Sequence, residues 1–581
     1  MRLFGNWDCP PISAHAFAGL IAAVFPLLAG MDTATTLPAV VEVTILQDGA
    51  DGEPAYQVEM SIPVEDDLPL LVLRDMSYSE PNCPELHFSF GRVENARVLD
   101  SDLADDRRVR LEPAGDGPVS ISYRIQTDLR AADLTVAGVH GCNILLARPD
   151  GVFLDGGALL LAPRSAPGVW PPYRVGRTVL RIEGLPEGAP VSGSLARQQG
   201  SREWDVERFD DLRFAFFATG AFARDPADEA GTFRIHAPDL DQERRQRLRS
   251  AGDRLVSHFS QHWREARFTD YTAYMIETTG RGTDLGESVG MARGNAHVLF
   301  HGPATDYESL LVMFAHELAH SWIPSRLGQL APDHDWSWLR EGLTDYLARK
   351  ALIELDLAEA GSLVDRLNLA LQNTVLRHTP QLEDYDEGLL IWAAMDAYAG
   401  SRGEAASVDD LARTLMLREN VPLTPAEVWQ VAQALGLWPA DQPDFVLDRD
   451  LPCMLAMDGQ SFTLVEGRWP LYATGWQLSE ESAGVVERVE AGTPAQRAGL
   501  AVNDRITSVR SGGFGNVHRP VELALERAGE PATLSFMPRG ATGDTVYRQY
   551  VADVDVVRSW ADVEPSRRCR GASQTSVANR G

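Results

Sequence analysis

Lysine is nearly absent from this chain. Lys350 is the single lysine among 53 basic residues, and 83 acidic residues bring the formal net charge to -30 at pH 7. A surface with this excess of negative charge lacks the basic face that nucleic-acid phosphates or an anionic membrane surface require. We therefore expect no nucleic-acid partner and no lipid-surface partner, and we interpret the charge as a source of solubility.

Cysteine is also scarce, and no two cysteines have the Cys-x-x-Cys spacing. The five are Cys9, Cys83, Cys142, Cys453 and Cys569. Their spacing excludes the paired-cysteine zinc knuckles and redox motifs. Cys83 and Cys142 fall in one predicted domain, where they could form a disulfide or remain buried free thiols.

The apolar run over residues 16–30 is shorter than the roughly 20 residues that span a bilayer. We therefore expect no stable membrane span. The length suits a secretory signal peptide, with small residues such as Ala29 and Gly30 for cleavage, so we predict a signal peptide over residues 1–34 and a periplasmic or secreted protein. Only Arg2 is clearly basic before the run. An uncleaved anchor or a misassigned start therefore stays open, with a cytoplasmic location if the run is not a signal.

A chain of 581 residues is too long for one core and predicts several domains. Residues 37–236 alternate polar with β-branched positions and predict an N-terminal β domain resembling an antiparallel sandwich. Helical patterns dominate residues 237–465, and short strands return over residues 466–556. Residues 557–581 are polar and arginine-rich, and we expect them to be disordered. The predicted fold class is multidomain α+β.

The pattern His316-Glu317-x-x-His320 carries the chemistry. On a helix, positions i and i+4 share one face, so both imidazoles can reach one metal ion. A catalytic zinc takes three protein ligands and keeps one position for water. Glu341 follows His320 by 21 positions, enough for a second helix to return and supply the third ligand. The sequence predicts one Zn²⁺ per chain.

Asp345 lies one helical turn after Glu341, where its carboxylate could accept the free ring N–H of a ligand histidine. The His-Glu-x-x-His pattern alone also arises by chance on solvated helices. The ordered Glu341–Asp345 pair and the flanking tryptophans favour a metal site. His334 is more typical of a loop histidine than of a fourth ligand.

These motifs resemble those of the gluzincin metallopeptidases, and of the glycyl aminopeptidase family in particular, relatives of the leukotriene A4 hydrolase and aminopeptidase N group. The resemblance rests on three segments: His316-Glu317-x-x-His320, Glu341-Gly-Leu-Thr-x-Tyr346 and Tyr385-x-x-Gly388. It implies a thermolysin-like catalytic domain that hydrolyses peptides. It also implies that Glu317 acts as general base and that the Tyr385 hydroxyl donates to the tetrahedral intermediate.

The stretch Gly290, Met291, Ala292 and Arg293 corresponds to the family's glycine-rich substrate strand and is our predicted substrate-binding segment. Family exopeptidases have a glutamate there that receives the substrate's free amine, and this chain has Ala292. Arg293 beside the site would repel an α-ammonium. An oligopeptidase or endopeptidase without amine recognition is therefore the alternative to an aminopeptidase.

Residues 466–556 resemble a PDZ domain of the bacterial protease type, which relatives often carry at this place. The resemblance rests on the segments Gly492-Thr-Pro-Ala495, Ala498-Gly-Leu500 and Asp504-x-Ile506. A PDZ groove binds an extended peptide, often by its C-terminal carboxylate. The predicted groove is Gly475, Trp476, Gln477 and Leu478. Two alternatives stay open: a module that only buttresses the catalytic domain, and a non-catalytic peptide-binding scaffold.

Overall fold

A computed structural model describes the chain from Ala39 to Cys569, apart from several gaps. The gaps are residues 47–54, 64–69, 74–85, 103–107, 116, 128, 130–133, 140–141, 143, 165–176, 186–187, 196–201, 224–232, 264–270, 280–284, 328–329, 332–333, 377–382, 404–405, 419–421, 443–444, 480, 511–515 and 567–568. The predicted signal peptide, Cys9 and Cys83 lie outside the described residues. Cys142 is disulfide-bonded, so the free-thiol alternative is wrong for this residue, and a disulfide to Cys83 stays a prediction.

The N-terminal region is built from strands, as the alternating sequence predicts. They are β1 (Ala39–Leu46), β2 (Ala55–Ile62), β3 (Leu70–Leu73), β4 (Leu86–Glu94), β5 (Ala96–Asp102), β6 (Arg108–Pro113), β7 (Val119–Thr127), β8 (Leu145–Arg148), β9 (Gly151–Asp155), β10 (Ala162–Arg164), β11 (Thr178–Glu183), β12 (Val191–Gly193), β13 (Glu203–Val206) and β14 (Phe216–Thr219). Three short helices accompany them: α1 (Val136–Val139), α2 (Gly156–Leu159) and α3 (Phe209–Arg213).

These strands form three sheets around a shared core. The orders are β13-β11-β1-β2-β7-β4, β10-β3-β6-β5 and β12-β14-β9-β8. Leu111, Leu154 and Leu180 come from different sheets and belong to one buried cluster. The β1–β11 pair is parallel, so the expectation of a wholly antiparallel region is wrong there. A long connection separates these two strands and lets the chain cross over before it pairs, as parallel neighbours require.

The central region begins one strand earlier than predicted. Its sheet has the order β15-β16-β18-β17, formed by β15 (Phe233–His236), β16 (Tyr271–Glu277), β17 (Ser288–Arg293) and β18 (Ala296–His301). Since β15 pairs in parallel with β16, the predicted boundary at residues 236/237 separates two strands of one sheet. The helix that crosses over between them is the amphipathic one that the sequence predicts.

Helices form the rest of the central region. They are α4 (Gln242–His262), α5 (Tyr307–Ala319), α6 (Ser337–Glu354), α7 (Ala360–Leu376), α8 (Glu383–Arg402), α9 (Val408–Met416), α10 (Pro425–Ala434) and α11 (Leu447–Asp450). Thr424 and Glu427 form a capping box at the start of α10. The Trp338 ring stacks 5.3 Å from Trp392, between α6 and α8. Among the described helices, none is long and apolar enough to cross a membrane.

The C-terminal region returns to strands, as predicted. They are β19 (Met454–Met457), β20 (Gln460–Tyr472), β21 (Trp476–Leu478), β22 (Val486–Val489), β23 (Arg505–Arg510), β24 (Val521–Arg527), β25 (Glu530–Phe536), β26 (Arg539–Val551) and β27 (Asp562–Pro565), with helices α12 (Pro494–Ala498) and α13 (Val554–Arg558). β20 runs through the predicted boundary at residues 465/466. Val509 N–H donates to the Ala304 carbonyl at 3.0 Å, so this region packs beside the start of α5.

The expectation of disorder from residue 557 onward is wrong for the described part of the tail. β27 pairs with β20, and Cys569 forms a disulfide with Cys453, 116 residues earlier. Val563 is buried in the small core beneath these strands. The polar composition wrongly indicated disorder. A disulfide and one paired strand can hold this segment in place with few apolar residues.

Replacing both Cys453 and Cys569 by Ser should lower the free energy of unfolding by about 2–5 kcal/mol, since the link closes a long loop in the unfolded chain. Chemical denaturation of the double variant and of the wild type without reductant measures the loss. Reductant should then shift the midpoint of the wild type more than that of the variant. Equal midpoints without reductant would contradict a stabilising link.

Candidate metal centre

Helix α5 presents the two histidines of the motif to one side. The Asp306 carboxylate caps its first turn by accepting from the backbone N–H of Glu308 at 2.9 Å. The helix ends at Ala319 with His320 as its C-cap in helical backbone geometry, which keeps the two imidazoles aligned. The helix therefore ends before Pro324, which lacks the N–H that a continuing helix would need.

Glu341 brings a third donor from α6 to this pair. The two Nε2 atoms of His316 and His320 are 3.0 Å apart. Glu341 Oε2 lies 3.4 Å from the first and 3.2 Å from the second. Donors about 2.0–2.2 Å from a tetrahedral zinc are about 3.3 Å from one another. The three atoms therefore fit one zinc ion with a fourth position free for water.

A hydrogen bond at Nδ1 fixes the tautomer of His320. It lies 2.9 Å from the Ile323 carbonyl oxygen, so Nδ1–H donates to that carbonyl and Nε2 keeps its lone pair for a metal. Burial alone would lower the pKa of His320, but the Glu341 carboxylate raises it to about 9. A proton therefore competes with a metal ion for Nε2.

The predicted role of Asp345 as the partner of a ligand histidine is wrong. Its two carboxylate oxygens accept from Arg349 Nε at 2.7 Å and from Arg366 Nε at 3.0 Å. Burial would raise the pKa of Asp345, but the two guanidinium groups hold it at about 2. Arg349 follows Asp345 by one helical turn, so its long side chain reaches the carboxylate before an imidazole of α5 can.

Tyr385 lies beside the other ligand histidine. Its hydroxyl is 3.5 Å from Nδ1 of His316, the ring nitrogen that faces away from Glu341 and the His320 side chain. Burial raises the pKa of Tyr385 well above its ordinary value, so the hydroxyl keeps its proton. The structure brings Tyr385 to the site, while its role towards an oxyanion stays a prediction.

Glu317 is buried beside the two imidazoles. A carboxylate oxygen lies within 4.8 Å of the nearest donor nitrogens of His316 and His320, farther away than the oxygen of Glu341. Burial raises the pKa of Glu317 above its ordinary value. A carboxylate that lies near a metal position without occupying it, and whose proton affinity is raised, suits a general base.

The predicted substrate segment is the edge strand β17, and its two faces differ. A Cβ built on Gly290 would lie 2.3 Å from the Glu317 side chain, so this face meets α5. Alternation places Ala292 on the same face and turns Met291 and Arg293 to the other. Arg293 is 5% exposed and lies 3.6 Å from the buried Asp155 carboxylate.

Met291 packs on the opposite face too, against the core shared with the N-terminal region. The prediction that Arg293 repels an α-ammonium at the site is therefore wrong. Gly290 and Ala292 remain the site-facing members of the predicted substrate segment.

Two features of the site were not predicted from the sequence. A Cβ on Gly342 would lie 2.7 Å from the Gly388 Cα, and a Cβ on Gly388 would lie 2.3 Å from the Trp338 carbonyl. The backbones of α6 and α8 therefore touch at two glycines. Gly342 directly follows the predicted ligand Glu341, so the sequence did offer a sign of a close backbone contact there. Arg366, the second arginine on Asp345, lies on α7 and offers no such signal.

The predicted peptide groove of the C-terminal region forms part of a two-stranded sheet. Trp476, Gln477 and Leu478 are β21, which pairs with β22, and Gly475 precedes it at φ = +80°. Trp476 and Leu478 pack against the core of that region. Ligand binding by these residues stays a prediction.

Comparison with known proteins supports the fold. No protein-family model and no curated protein matches this sequence. An aminopeptidase N family protein from Idiomarina loihiensis has a similar structure, with a TM-score of 0.51 and 15% identity over 90% of this chain and 99% of that chain. Leukotriene A4 hydrolase from Saccharomyces cerevisiae aligns with a TM-score of 0.40 and 14% identity over 69% and 64%. A second yeast structure of that hydrolase gives 0.39 and 15% over 71% and 68%.

The Idiomarina structure shows that the arrangement of an N-terminal β region, a helical centre and a C-terminal β region is shared with aminopeptidase N-type proteins. At this level of identity the likeness concerns the fold alone.

Gly388→Ala should weaken zinc binding and lower stability by about 1–3 kcal/mol, because the added methyl forces α8 away from α6 next to Glu341. Gly400→Ala on the same helix is the matched control, since a Cβ there meets no atom within 4 Å. Zinc titration and thermal denaturation measure both effects. Equal zinc affinity and equal melting in the two variants would contradict the close helix contact.

Proposed function

We propose that this chain is a zinc-dependent peptidase that hydrolyses peptide bonds and resembles the glycyl aminopeptidases. The observation that carries the proposal is the donor set of His316, His320 and Glu341, whose atoms are 3.0–3.4 Å apart. Glu317 lies beside it, buried and not itself the nearest donor. An aminopeptidase N-type fold around this set supports the same chemistry.

A zinc ion held by these three side chains would polarise the scissile carbonyl and lower the pKa of a bound water to about 7. Glu317 would take the proton of the attacking water and pass it to the leaving amine. Gly290 leaves room for the Glu317 carboxylate, since a side chain at this position would collide with it.

Tyr385 is the proposed donor to the oxyanion of the intermediate. Its hydroxyl lies 3.5 Å from the outer nitrogen of His316. In its observed position it can instead accept from Nδ1–H and hold the imidazole in orientation.

Recognition of a free amine is the open part of this function. Ala292 faces α5 on the strand that supplies the amine-binding glutamate in the resembling exopeptidases, and it offers no carboxylate. Arg293 points away from α5, so its charge does not repel a free amine at the site. Because Ala292 offers no carboxylate to a free amine, we favour a peptidase that accepts oligopeptides irrespective of their N-terminus over a strict aminopeptidase.

The role of the C-terminal region and the location of the protein are proposals from the sequence. We propose that residues 466–556 form a PDZ domain that binds the C-terminus of a peptide, and that the protein is periplasmic or secreted. The contact of Val509 with Ala304 places this region next to the start of the motif helix, which suits delivery of a peptide or simple support. A purely non-catalytic scaffold would not need the buried carboxylate at Glu317.

Glu317→Gln should retain one zinc per chain and reduce peptide hydrolysis by about 10²–10⁴-fold, since a general base contributes that much. Glu341→Gln is the matched comparison and should lose zinc as well as activity. Metal analysis after gel filtration and digestion of a peptide library measure the two properties. Normal turnover by Glu317→Gln would refute its role, and a zinc-free wild type would refute the metal centre.

Acetylation of the substrate's N-terminus should leave the cleavage rate nearly unchanged in the wild type. Ala292→Glu should then favour the free amine by at least about tenfold, because a hydrogen bond to a charged group contributes about 1.5–3 kcal/mol. Paired kinetics on one peptide and its acetylated form give this ratio. A strong preference for the free amine in the wild type would show that another group binds it.

A further inference from the structure

A second set of metal-ligand side chains lies at the opposite end of α6. His258 and His262 are one turn apart on α4, and Glu354 is the last residue of α6. Glu354 Oε2 lies 3.5 Å from His258 Nε2 and 3.9 Å from His262 Nε2. One donor atom from each of the three residues lies within 4.8 Å of the other two. Glu354 follows Glu341 by 13 positions, or about 20 Å along the helix.

The hydrogen bonding and the burial of His258 and His262 suit metal binding. Nδ1 of His262 lies 3.2 Å from the His258 carbonyl oxygen, so Nδ1–H donates to it and Nε2 faces Glu354 with a free lone pair. His258 is 9% exposed, and burial, with the neighbouring His262, lowers its pKa to about 4.

A simple ion pair between His258 and Glu354 explains this cluster poorly, because Nε2 and Oε2 are 3.5 Å apart, longer than a charge-assisted hydrogen bond. Lys350 lies one turn before Glu354, but its ammonium is 2.8 Å from both the Asp396 and the Asp409 carboxylates. Lys350 therefore has two other carboxylate partners. The Arg254 guanidinium donates to the Leu355 carbonyl, next to Glu354, so the surrounding charge is mixed. The donor set itself is what would attract a divalent cation.

We propose that His258, His262 and Glu354 form a second site for a divalent transition-metal cation, with Zn²⁺ as the probe, which would connect α4 to α6. Two imidazoles and one carboxylate are a zinc-type donor set. The observed separations exceed the roughly 3.3 Å of a tetrahedral site, so the donors must close by a few tenths of an ångström. The side chains of His262 and Glu354 are 41% and 39% exposed and have room to do so. This site should bind more weakly than the first.

The test uses the full chain with the first centre removed by His316→Gln and His320→Gln. Calorimetric titration with Zn²⁺ should give one equivalent in this variant, and zinc should raise its melting temperature. Adding His262→Gln or Glu354→Gln should weaken this binding at least about tenfold and abolish the rise. His334→Gln, which removes an exposed histidine outside both sets, is the matched control and should change neither quantity.

In the chain with an intact first centre, His262→Gln and Glu354→Gln should leave peptide hydrolysis at limiting zinc unchanged. This result separates the second site from the proposed activity. Absence of zinc binding in the first-centre variant would overturn the proposal. Binding that is equally strong after His262→Gln and Glu354→Gln would overturn it as well.

Discussion

The placement of α6 against α5 and α8 is the constraint on which the site depends. Glu341 reaches both imidazoles because α6 and α8 meet backbone to backbone at Gly342 and Gly388, while α5 packs on the other side. Metal–ligand distances tolerate deviations of only about 0.2 Å. A side chain at either glycine would widen the helix spacing by more than that, so the ligand geometry is set by packing that involves no ligand.

Helix α6 also organises the charges around the site. Asp345 points between α6 and α7, where Arg349 and Arg366 neutralise it. One turn on, Lys350 lies between Asp396 and Asp409. Buried carboxylates are costly unless paired, and pairing these keeps them from competing for protons or metal at the centre. Glu341 is left as the carboxylate of α6 that contacts the imidazoles of His316 and His320.

Local rules predicted the parts of the site that lie within one element. The i, i+4 histidines follow from helix geometry. Glu341 lies on the next helix and followed from the number of ligands that zinc takes and from the length of the connection. The partner of Asp345 and the direction of Arg293 depend on which elements pack together, which residue spacing does not encode. The same limit explains the tail, where Cys453 and Cys569 are 116 residues apart and no spacing rule joins them. The motifs therefore predicted the metal ligands but not the contacts of the side chains around them.

The ion pairs around the metal centre give a structural reason for the preference of this chain for arginine over lysine. Arg366 contacts Asp345 through Nε and Asp386 through a terminal nitrogen, at 3.0 and 2.6 Å, because a planar guanidinium offers donors along two edges. An ammonium is a point charge that cannot fix the orientation of two carboxylates in this way. Arg293 meets Asp155 between the central sheet and the N-terminal region, so the same side-chain type joins regions as well as helices. Arginine is the residue that can bridge two buried carboxylates without losing its charge.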